Sequence, residues 1–480
     1  MTVKTAWELV VGLEVHVQLR TASKIFCSCP TTFGEAPNVN TCPVCLGLPG
    51  ALPVLNEGAV ALAVRAALAL GCDLHGTSVF ARKNYFYPDL PKGYQITQFD
   101  RPFATGGEVR LDDDGTRRIR LTRIHMEEDA GKSVHDRYPG ETAIDLNRAG
   151  VPLIEIVTEP EIRSAPEARS CLQHLREVLE FTGVSDANME EGSLRVDANI
   201  SIRAAGSQQL GTRTEIKNMN SFSGVERAIE LEASRQADVL EAGGTIVQQT
   251  MLWDGQRGEV RPARSKEGSH DYRYFPEPDL PPLQLDRVWI TQQRDTLPEL
   301  PAPRRARLRV RHGLSAYDAG VLTSSKALAD FYEELIALHS DARAAATWVM
   351  GEVLGWLKEQ RLGIVDFPLR PADLASLLDS VRDGQLSRTA AKRVFDIMVR
   401  EGGNVAAIVE REGLGQVGDD AALRAWVDEV WTANPAEAAR LVAGERKLLG
   451  VLVGLVMKAS GGRADPRRVN ALLQERASRA

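Results

Sequence analysis

The sequence predicts an α+β fold, in which a large mixed α/β domain built on an antiparallel sheet is followed by two all-helical domains. In about the first three fifths of the 480-residue chain, Val, Ile and Leu alternate with polar residues, and residues 1–298 hold eighteen of the 24 prolines. Such alternation is typical of half-buried strands. Beyond Pro298 the sequence turns to segments rich in Ala, Leu, Arg and Glu, with the apolar spacings of three and four that indicate amphipathic helices.

The domain boundaries follow from proline and glycine clusters. A proline-rich stretch over 274–282 and three further prolines at 298–303 separate the sheet-like part from the helical part. Inside the helical part, Gly402 and Gly403 end one amphipathic run before another begins. We therefore expect a cradle-like catalytic domain over 1–295, a helical domain over 296–403 and a small helical domain over 404–480.

The composition is that of an ordinary globular protein. Hydrophobic residues make up 43% of the chain and charged residues 26%, which argues against disordered, fibrous and collagen-like proteins. No apolar run approaches the roughly 18–20 residues that span a bilayer, and residues 1–10 lack the apolar core of a signal peptide. The net charge of −7 argues against a protein that coats nucleic acid by bulk charge. We expect a cytoplasmic protein with no membrane partner.

The first strand carries polar chemistry on one face. Over residues 13–19 the odd positions are apolar, whereas Glu14, His16 and Gln18 share the opposite face. A half-buried strand with one solvated face explains such a pattern equally well when it stands alone.

Four of the six cysteines lie within nineteen residues of the following loop, in a Cys-x-Cys pair and a Cys-Pro-Val-Cys pair. Two tight pairs supply the four thiolates of a closed, structural Zn²⁺ site, which would fix the loop and leave no open position for substrate. The alternative is four incidental thiols. The predicted zinc ligands are Cys27, Cys29, Cys42 and Cys45.

Helices are predicted between the strands of the first domain. Asn56 can cap a helix over 57–70. Ser164 and Ser223 are each followed three residues later by Glu, the pattern of a capping box. Gly183 and Gly243 can end the two helices that these boxes begin.

Acidic residues recur on the polar faces of two later strands, as Glu155 in the segment 153–159 and Asp197 in the segment 194–202. If these strands neighbour the first one, Glu14 and His16 join the two carboxylates in one site. Repulsion among the carboxylates is then costly unless a cation lies between them, and oxygen-rich ligation favours Mg²⁺.

A run of three acids between these strands could add ligands. It lies in the segment 125–133, whose alternation is too mixed to show which acid points inward. Glu127 and Glu128 are therefore both candidates.

Two loops, 82–89 and 271–279, interleave basic, aromatic and proline residues. Such loops can hold phosphates and stack on bases or sugars, although a packed aromatic loop is an equally good interpretation.

The C-terminal segment is basic. Residues 445–480 contain eight Lys and Arg and three acids, a local charge of +5 in an acidic chain. This asymmetry suggests a polyanionic partner, with a solvated helical face as the alternative.

Taken together, seven segments closely resemble the GatB family, the B subunits of aspartyl/glutamyl-tRNA(Asn/Gln) amidotransferases. The resemblance runs nearly end to end, and residues 447–460 are similar to the family's small tRNA-contacting domain. The segments that carry it are 14–16, 82–89, 125–132, 145–156, 195–201, 217–222 and 271–279.

The resemblance implies an ATP-dependent carbon–nitrogen ligase with glutamine as the amide donor. The side-chain carboxylate of Glu-tRNA(Gln), and often of Asp-tRNA(Asn), is activated as an acyl phosphate that ammonia then attacks. The ammonia comes through a channel from an amidase-type glutaminase, the A subunit, and the small C subunit makes up the heterotrimer. This division fits the present sequence, which has no amidase Ser-Ser-Lys arrangement and no nucleophile elbow.

The resemblance also assigns residues. It implies Mg²⁺ ligands at Glu14, His16, Glu128 and Glu155. It places Glu127 and Asp197 close by and makes Lys83 suited to phosphate or acyl-phosphate charge. The basic residues expected to bind tRNA in the C-terminal domain are Arg446, Lys447, Lys458, Arg467 and Arg468.

Two other functions account for part of the pattern. An ATP-dependent ligase or kinase acting on a small free carboxylate could use the same acidic site, but it needs no distant basic anchor. A non-enzymatic tRNA-binding scaffold could hold a structural ion among its carboxylates.

Overall fold

A computed structural model describes residues 6–112, 116–134, 139–263, 271–415 and 420–479. The chain divides into two compact units, 1–304 and 305–480. The first unit is mixed α and β and the second is helical throughout its described residues, which confirms the predicted fold class. No helix in the described ranges is both long and apolar enough to cross a membrane.

The first unit is organised by one ten-stranded sheet, in the order β15-β14-β13-β12-β1-β11-β8-β6-β2, with β7 paired to β8. All neighbours are antiparallel except β13 and β14. The strands of the unit are β1 (Trp7–Gln18), β2 (Asp73–Leu74), β3 (Thr77–Ser78), β4 (Ala81–Asn84), β5 (Tyr94–Thr97), β6 (Ala104–Thr105), β7 (Glu108–Arg110), β8 (Arg118–Glu128), β9 (Lys132–Val134), β10 (Ala143–Asp145), β11 (Pro152–Thr158), β12 (Leu194–Ala204), β13 (Thr214–Met219), β14 (Thr250–Asp254), β15 (Glu259–Pro262), β16 (Phe275–Pro276) and β17 (Leu283–Gln284).

The first strand of the chain lies in the middle of this sheet because it pairs on both edges. It hydrogen-bonds to β11 on one side and to β12 on the other. Its residues Leu13, Val15 and Val17 are at most 1% exposed and enter the main core. The alternation read from the sequence therefore separates a core face from a polar face.

Helices cover the core face of the sheet, and their caps follow the local sequence. Asn56 accepts hydrogen bonds at the start of α1, and Ser164 accepts one from the amide of Glu167 at the start of α2. The capping prediction at Ser223 is wrong, because α3 begins earlier and Ser221 accepts from the amide of Gly224. The helices of the first unit are α1 (Glu57–Ala69), α2 (Ala165–Phe181), α3 (Phe222–Glu241) and α4 (Arg287–Asp295).

Two hydrophobic clusters form the interior of the second unit, one from Leu308 to Leu414 and one from Leu423 to Leu473. The three-domain division made from the sequence stays a prediction. The helices are α5 (Pro301–His312), which contains the boundary between the units, and α6 (Ala316–Leu322), α7 (Lys326–Leu338), α8 (Ala342–Trp348), α9 (Leu354–Gln360), α10 (Pro371–Arg382), α11 (Arg388–Glu401), α12 (Val405–Glu412), α13 (Asp420–Ala433), α14 (Pro435–Val442), α15 (Lys447–Ala459) and α16 (Pro466–Arg479).

Candidate functional site

The polar face of the sheet gathers the acidic residues of four adjacent strands. In the register of β1 with its two neighbours, His16 lies opposite Glu155 and Glu14 lies opposite Asp197. The next pair, β11 with β8, sets Leu153 opposite Glu127. Because side chains alternate between faces, all five polar residues emerge on the side of the sheet away from the core.

His16, Glu127 and Glu155 form a compact group. The Nε2 atom of His16 lies 3.3 Å from Glu155 Oε2 and 3.6 Å from Glu127 Oε1. One ligand atom from each of the three lies within 4.8 Å of the others. Two carboxylates and an imidazole at this spacing, on rigid strands, are suited to hold a divalent cation.

The charges in this group are mutually dependent. Burial disfavours the imidazolium, but Glu155 and Glu127 outweigh it and raise the pKa of His16 to about 8. Burial raises the pKa of Glu127 to about 7, against the influence of His16. Burial also opposes the ionised form of Glu155, but His16 and His125 hold the pKa of Glu155 well below its ordinary value. In the absence of a metal ion, a protonated His16 therefore supplies the positive charge between two carboxylates.

Glu127, and not Glu128, belongs to this group. Glu128 is the next residue of β8, so its side chain points to the opposite face. There it forms an ion pair with Lys92 and accepts a hydrogen bond of 2.9 Å from the amide of Ile96. Both charged side chains of the pair are buried, at 3% and 8% exposure. The Mg²⁺ ligand that the resemblance implies at Glu128 therefore points away from this group, and Glu127 lies in the group instead.

Glu14 lies in a second acidic group, with Asp197 and Glu215. Its Oε1 accepts a hydrogen bond of 2.8 Å from Asn199 on β12. Burial, together with the charges of Glu155 and Glu215, raises the pKa of Glu14 above its ordinary value. Glu14 therefore stands between the two groups, close enough to each to be affected by both.

His125 was not singled out from the sequence as a site residue. It lies opposite Glu155 in the β11–β8 register, and its Nε2 is 3.6 Å from Glu155 Oε2 and 3.8 Å from Glu127 Oε2. Burial lowers the pKa of His125 to about 4, so the ring is neutral at pH 7. The signal that could have found it is its spacing of two residues from Glu127, which puts both on one face.

Asp129 is the third acid of the run in the segment 125–133, and the sequence did not single it out as a site residue. It is 3% exposed. Its Oδ1 atom lies 2.9 Å from a guanidinium nitrogen of Arg195, and its Oδ2 atom accepts a hydrogen bond of 2.9 Å from Gln18. Burial opposes its ionised form, but Arg195 and Arg148 lower the pKa of Asp129 below its ordinary value. This pairing fixes the strand ends at one edge of the polar face.

The two aromatic and basic loops meet beside the site. β16 pairs with β4, and Arg82 forms an ion pair of 2.7 Å with Glu277. Lys83 lies with its Nζ 4.9 Å above the ring of Tyr272. Within the described ranges, Lys83 has no carboxylate at ion-pair distance. Its charge contributes to lowering the pKa of Glu155, so it faces the site with an ammonium group that none of the described acids neutralises.

The four predicted zinc ligands come together, with their sulfur atoms within 4.8 Å of one another. The fully buried Lys24 lies beside them, with its Nζ 3.6 Å from Cys45 Sγ and 2.7 Å from the carbonyl oxygen of Asn40. The hydrogen bond from Cys27 lowers the pKa of Cys45 to about 4, whereas burial raises that of Cys29 to about 11. Four crowded sulfur donors with one thiolate already favoured are compatible with a structural zinc ion.

The basic residues of the C-terminal segment differ in their pairing. Arg446, Lys447, Lys458 and Arg467 are exposed and form no ion pair with any described residue. Arg468 is exposed as well, but it binds Asp420 through two nitrogens. The first four therefore offer uncompensated charge, and Arg468 does not.

Comparison with known proteins gives full-length similarity. A family model described as the GatB/GatE catalytic domain matches residues 9–291, and one described as the GatB domain matches residues 330–476. A protein of Chlorobium chlorochromatii, named as the B subunit of aspartyl/glutamyl-tRNA(Asn/Gln) amidotransferase, is 54% identical over 97% of this chain and 98% of its own length. Proteins with the same name from Chlorobium phaeobacteroides and Moorella thermoacetica are 53% and 52% identical, each over 98% of this chain and 99% of their own length.

Proposed function

The chain belongs to the GatB/GatE family, and from that premise we propose that it is the B subunit of a tRNA-dependent amidotransferase. It would phosphorylate the side-chain carboxylate of Glu-tRNA(Gln), of Asp-tRNA(Asn) or of both with ATP, and amidate it with ammonia. The products would be Gln-tRNA(Gln) and Asn-tRNA(Asn). The observation that carries the chemistry is the group of His16, Glu127 and Glu155 on the polar face of a rigid sheet.

Mg²⁺ is the ion we assign to this group, with Glu14 adjacent to it. The donor set fits this ion, because one ligand atom from each of two carboxylates and one imidazole already lies within 4.8 Å of the others. None of these three groups carries a permanent positive charge that would repel a cation. When bound, the ion would offset the charge of ATP phosphates during phosphoryl transfer. The chain's own part is to fix the three donors on β1, β8 and β11, where strand pairing prevents them from moving apart.

Lys83 is the residue we assign to the transferred phosphate. Its ammonium group has no carboxylate partner among the described residues, and it lies on the aromatic face of Tyr272 beside the acidic group. A lysine held by a ring rather than by an acid keeps its full charge for an anion. It would orient the phosphate and then stabilise the negative charge of the acyl phosphate.

Zinc is assigned to the four cysteines, in a structural role. The ion would link the two cysteine pairs of the loop after β1. The loop would then hold the end of the strand that carries Glu14 and His16. No step of the reaction passes through it.

The proposed source of ammonia is an amidase-type glutaminase, the A subunit of the assembly, and the small C subunit makes up a heterotrimer. The names of the relatives support an assembly, since each is called a subunit. We propose that tRNA(Gln) or tRNA(Asn) is held by the exposed basic residues of the segment 445–480, and that the protein works in the cytoplasm, where its aminoacyl-tRNA substrate would be found.

The test is ATP hydrolysis by the assembled subunits with and without misacylated tRNA. Stimulation by Glu-tRNA(Gln) or Asp-tRNA(Asn), with formation of the amide, is the expected result. Hydrolysis stimulated by free glutamate instead would indicate a small-molecule ligase. Binding of tRNA without any ATP turnover would indicate a scaffold.

A further inference from the structure

Lys217 lies inside the second acidic group. The carboxylates of Glu14, Asp197 and Glu215 each offer an oxygen within 4.8 Å of the others, which is the spacing of metal ligands. The Nζ atom of Lys217 is 2.5 Å from Asp197 Oδ2 and 3.0 Å from Glu215 Oε1. A protein ammonium group thus binds two of the three carboxylates, at a place where the three could otherwise hold an ion.

The backbone is shaped to put it there. Between Val196 and Ala198 the register of β12 with β13 shifts, so that Lys217 and Asn218 together oppose Asp197. Asn218 takes a left-handed conformation, with φ of 68°, and its side chain donates a hydrogen bond to the carbonyl of Trp253. Such an irregularity re-aims a side chain, and Asn is among the few residues that tolerate this conformation.

The ammonium group is firmly charged. Burial disfavours the charge, but Asp197 and Glu215 outweigh it and hold the pKa of Lys217 above its ordinary value. Its side chain is only 40% exposed, so these contacts are partly shielded from solvent.

Along the polar face, the carboxylates therefore fall into two kinds. Asp129 is compensated by Arg195 and Arg148, and Asp197 and Glu215 are compensated by Lys217. Among the described residues, Glu127 and Glu155 have no lysine or arginine at ion-pair distance. The histidines beside them are the neutral His125 and His16, and the charge of His16 is lost when its nitrogen binds a metal ion. The described part of this face therefore leaves one opening for a divalent cation, at His16.

We propose that Lys217 is a positioning residue that takes the place of a second metal ion and limits this face to one divalent cation. The inference rests on the proposed function, since it describes the metal requirement of the same site. Many phosphoryl-transfer sites use two ions about 3.5–4 Å apart. Here a fixed lysine would provide the second positive charge and hold Asp197 and Glu215 in place beside the single ion.

The experiment counts Mn²⁺ ions bound to the full chain by equilibrium dialysis, after the cysteine site has been saturated with Zn²⁺. Wild type should bind one Mn²⁺. Lys217→Met, which keeps the length of the side chain without its charge, should bind two, and the electron paramagnetic resonance spectrum should show coupling between them. Lys217→Arg should still bind one.

A double variant shows where the new ion binds. Lys217→Met with Glu215→Gln removes one of the three carboxylates and should return the count to one. Lys326→Met removes a lysine that pairs with an acid in the second unit and is the matched control, with one ion expected.

Two results would overturn the inference: two Mn²⁺ ions in wild type, or one ion in a folded Lys217→Met protein. A wild-type protein that binds no Mn²⁺ would instead remove the metal site of the proposed function, and the inference with it. The count therefore separates failure of the inference from failure of its premise.

Discussion

The Nε2 atom of His16 lies 3.3 Å from Oε2 of Glu155, and the two residues stand directly opposite each other on β1 and β11. Strand pairing therefore sets this contact more than side-chain flexibility does. Since Glu127 approaches the same nitrogen from β8, three strands converge on one imidazole. Removing the imidazole should leave the sheet intact and remove the point where the two acids meet.

We expect His16→Ala to lower ammonia-dependent amidation by the assembled enzyme at least about 10³-fold, because the ion for phosphoryl transfer is no longer held. The measurement is amide formation on misacylated tRNA at a fixed Mg²⁺ concentration, with glutaminase activity of the partner as the internal check. His174→Ala is the matched control, since that histidine lies on α2 and bonds to the carbonyl of Ser170. Full amidation by His16→Ala would remove this residue from the site.

Glu127 and Glu128 should behave differently although they are neighbours in sequence. Glu127→Gln should weaken Mn²⁺ binding roughly 10–100-fold or more with little change in the free energy of unfolding, because it removes a charged ligand. Glu128→Gln should leave Mn²⁺ affinity nearly unchanged. It should lower the free energy of unfolding by about 3 kcal/mol, because the buried ammonium of Lys92 loses its partner. Metal titration and urea denaturation of both variants check this, and an equal effect on Mn²⁺ affinity would contradict the assignment.

Part of this site could be predicted from the sequence, and part could not. The alternation in β1 predicts that Glu14, His16 and Gln18 share a face, and the structure confirms it. The alternation of apolar and polar residues does not show which strands are neighbours. The order β1-β11-β8, which brings Glu127 to His16, could therefore not be derived from the sequence. The partner that holds Glu128 on the other face is Lys92, which lies 36 positions away in the sequence. Such a distant contact could not be predicted from the local pattern around Glu128.

Other parts of the site depended on distant contacts in the same way. His125 gave no signal apart from its spacing to Glu127, because its burial depends on strands that pair only in the fold. The position of Lys217 follows from a register shift that no pattern of residue types encodes. The cysteine cluster, in contrast, was predictable, because both pairs are local in sequence.

Metal affinity should rise with pH. The two carboxylates raise the pKa of His16 to about 8, and a metal ion binds only the neutral imidazole, so a proton must leave first. Between about pH 8 and 7 the apparent Mn²⁺ affinity should therefore fall up to about tenfold per pH unit, and it should level off above pH 8. Below pH 7 the fall should be steeper, because Glu127, with a pKa of about 7, also takes up a proton. Isothermal titration between pH 6 and 9 measures this, and His16→Gln should remove most of the slope above pH 7. A flat wild-type profile would contradict protonation of His16 in the metal-free protein.

The raised pKa of His16 also predicts how stability depends on pH in the protein without metal. Whereas metal affinity should rise with pH, the contribution of His16 to stability should fall. The pKa of His16 is raised in the folded state, so its protonation stabilises the fold. This contribution to the free energy of unfolding is fully present below about pH 6.5, the pKa of the residue in the unfolded chain, and is lost as pH rises through about 8. In EDTA, the difference in unfolding free energy between wild type and His16→Gln should decrease by roughly 2 kcal/mol across that interval. Urea denaturation at pH 6, 7 and 8.5 tests it. A difference that grows with pH would reverse the assigned direction.

About one Zn²⁺ per chain should copurify when no chelator is used, and it should be absent from a variant with Cys42→Ser and Cys45→Ser. The loss should lower stability, because the loop after β1 is no longer closed, while metal binding at His16 should persist. Elemental analysis and thermal denaturation are the measurements. Cys72→Ser with Cys171→Ser is the control, since these buried thiols lie outside the cluster. Protein without zinc that keeps its full stability would contradict a structural zinc site.

The C-terminal prediction requires a truncation that respects the core. Val405 and Ile408 are buried in the cluster that runs from Leu308 to Leu414, so a deletion beginning at residue 405 would expose that cluster. Removing 420–480 instead takes away the second cluster, which runs from Leu423 to Leu473, and leaves the first one closed. If the basic segment holds tRNA while the first unit carries out the chemistry, this truncation should raise KM for aminoacyl-tRNA and change kcat much less.

Point variants then separate charge from folding. Arg467→Gln removes an exposed arginine without an ion-pair partner among the described residues, and should reduce the slope of log affinity against log salt by about 0.7–0.9 if it contacts one phosphate. Arg468→Gln should change that slope less, because Asp420 already neutralises this arginine. Binding of tRNA to the assembled enzyme at several salt concentrations gives both slopes. Equal slopes in wild type, both variants and the truncated protein would mean that the basic residues form only a solvated helical face, and tRNA binding would then have to be assigned to another surface.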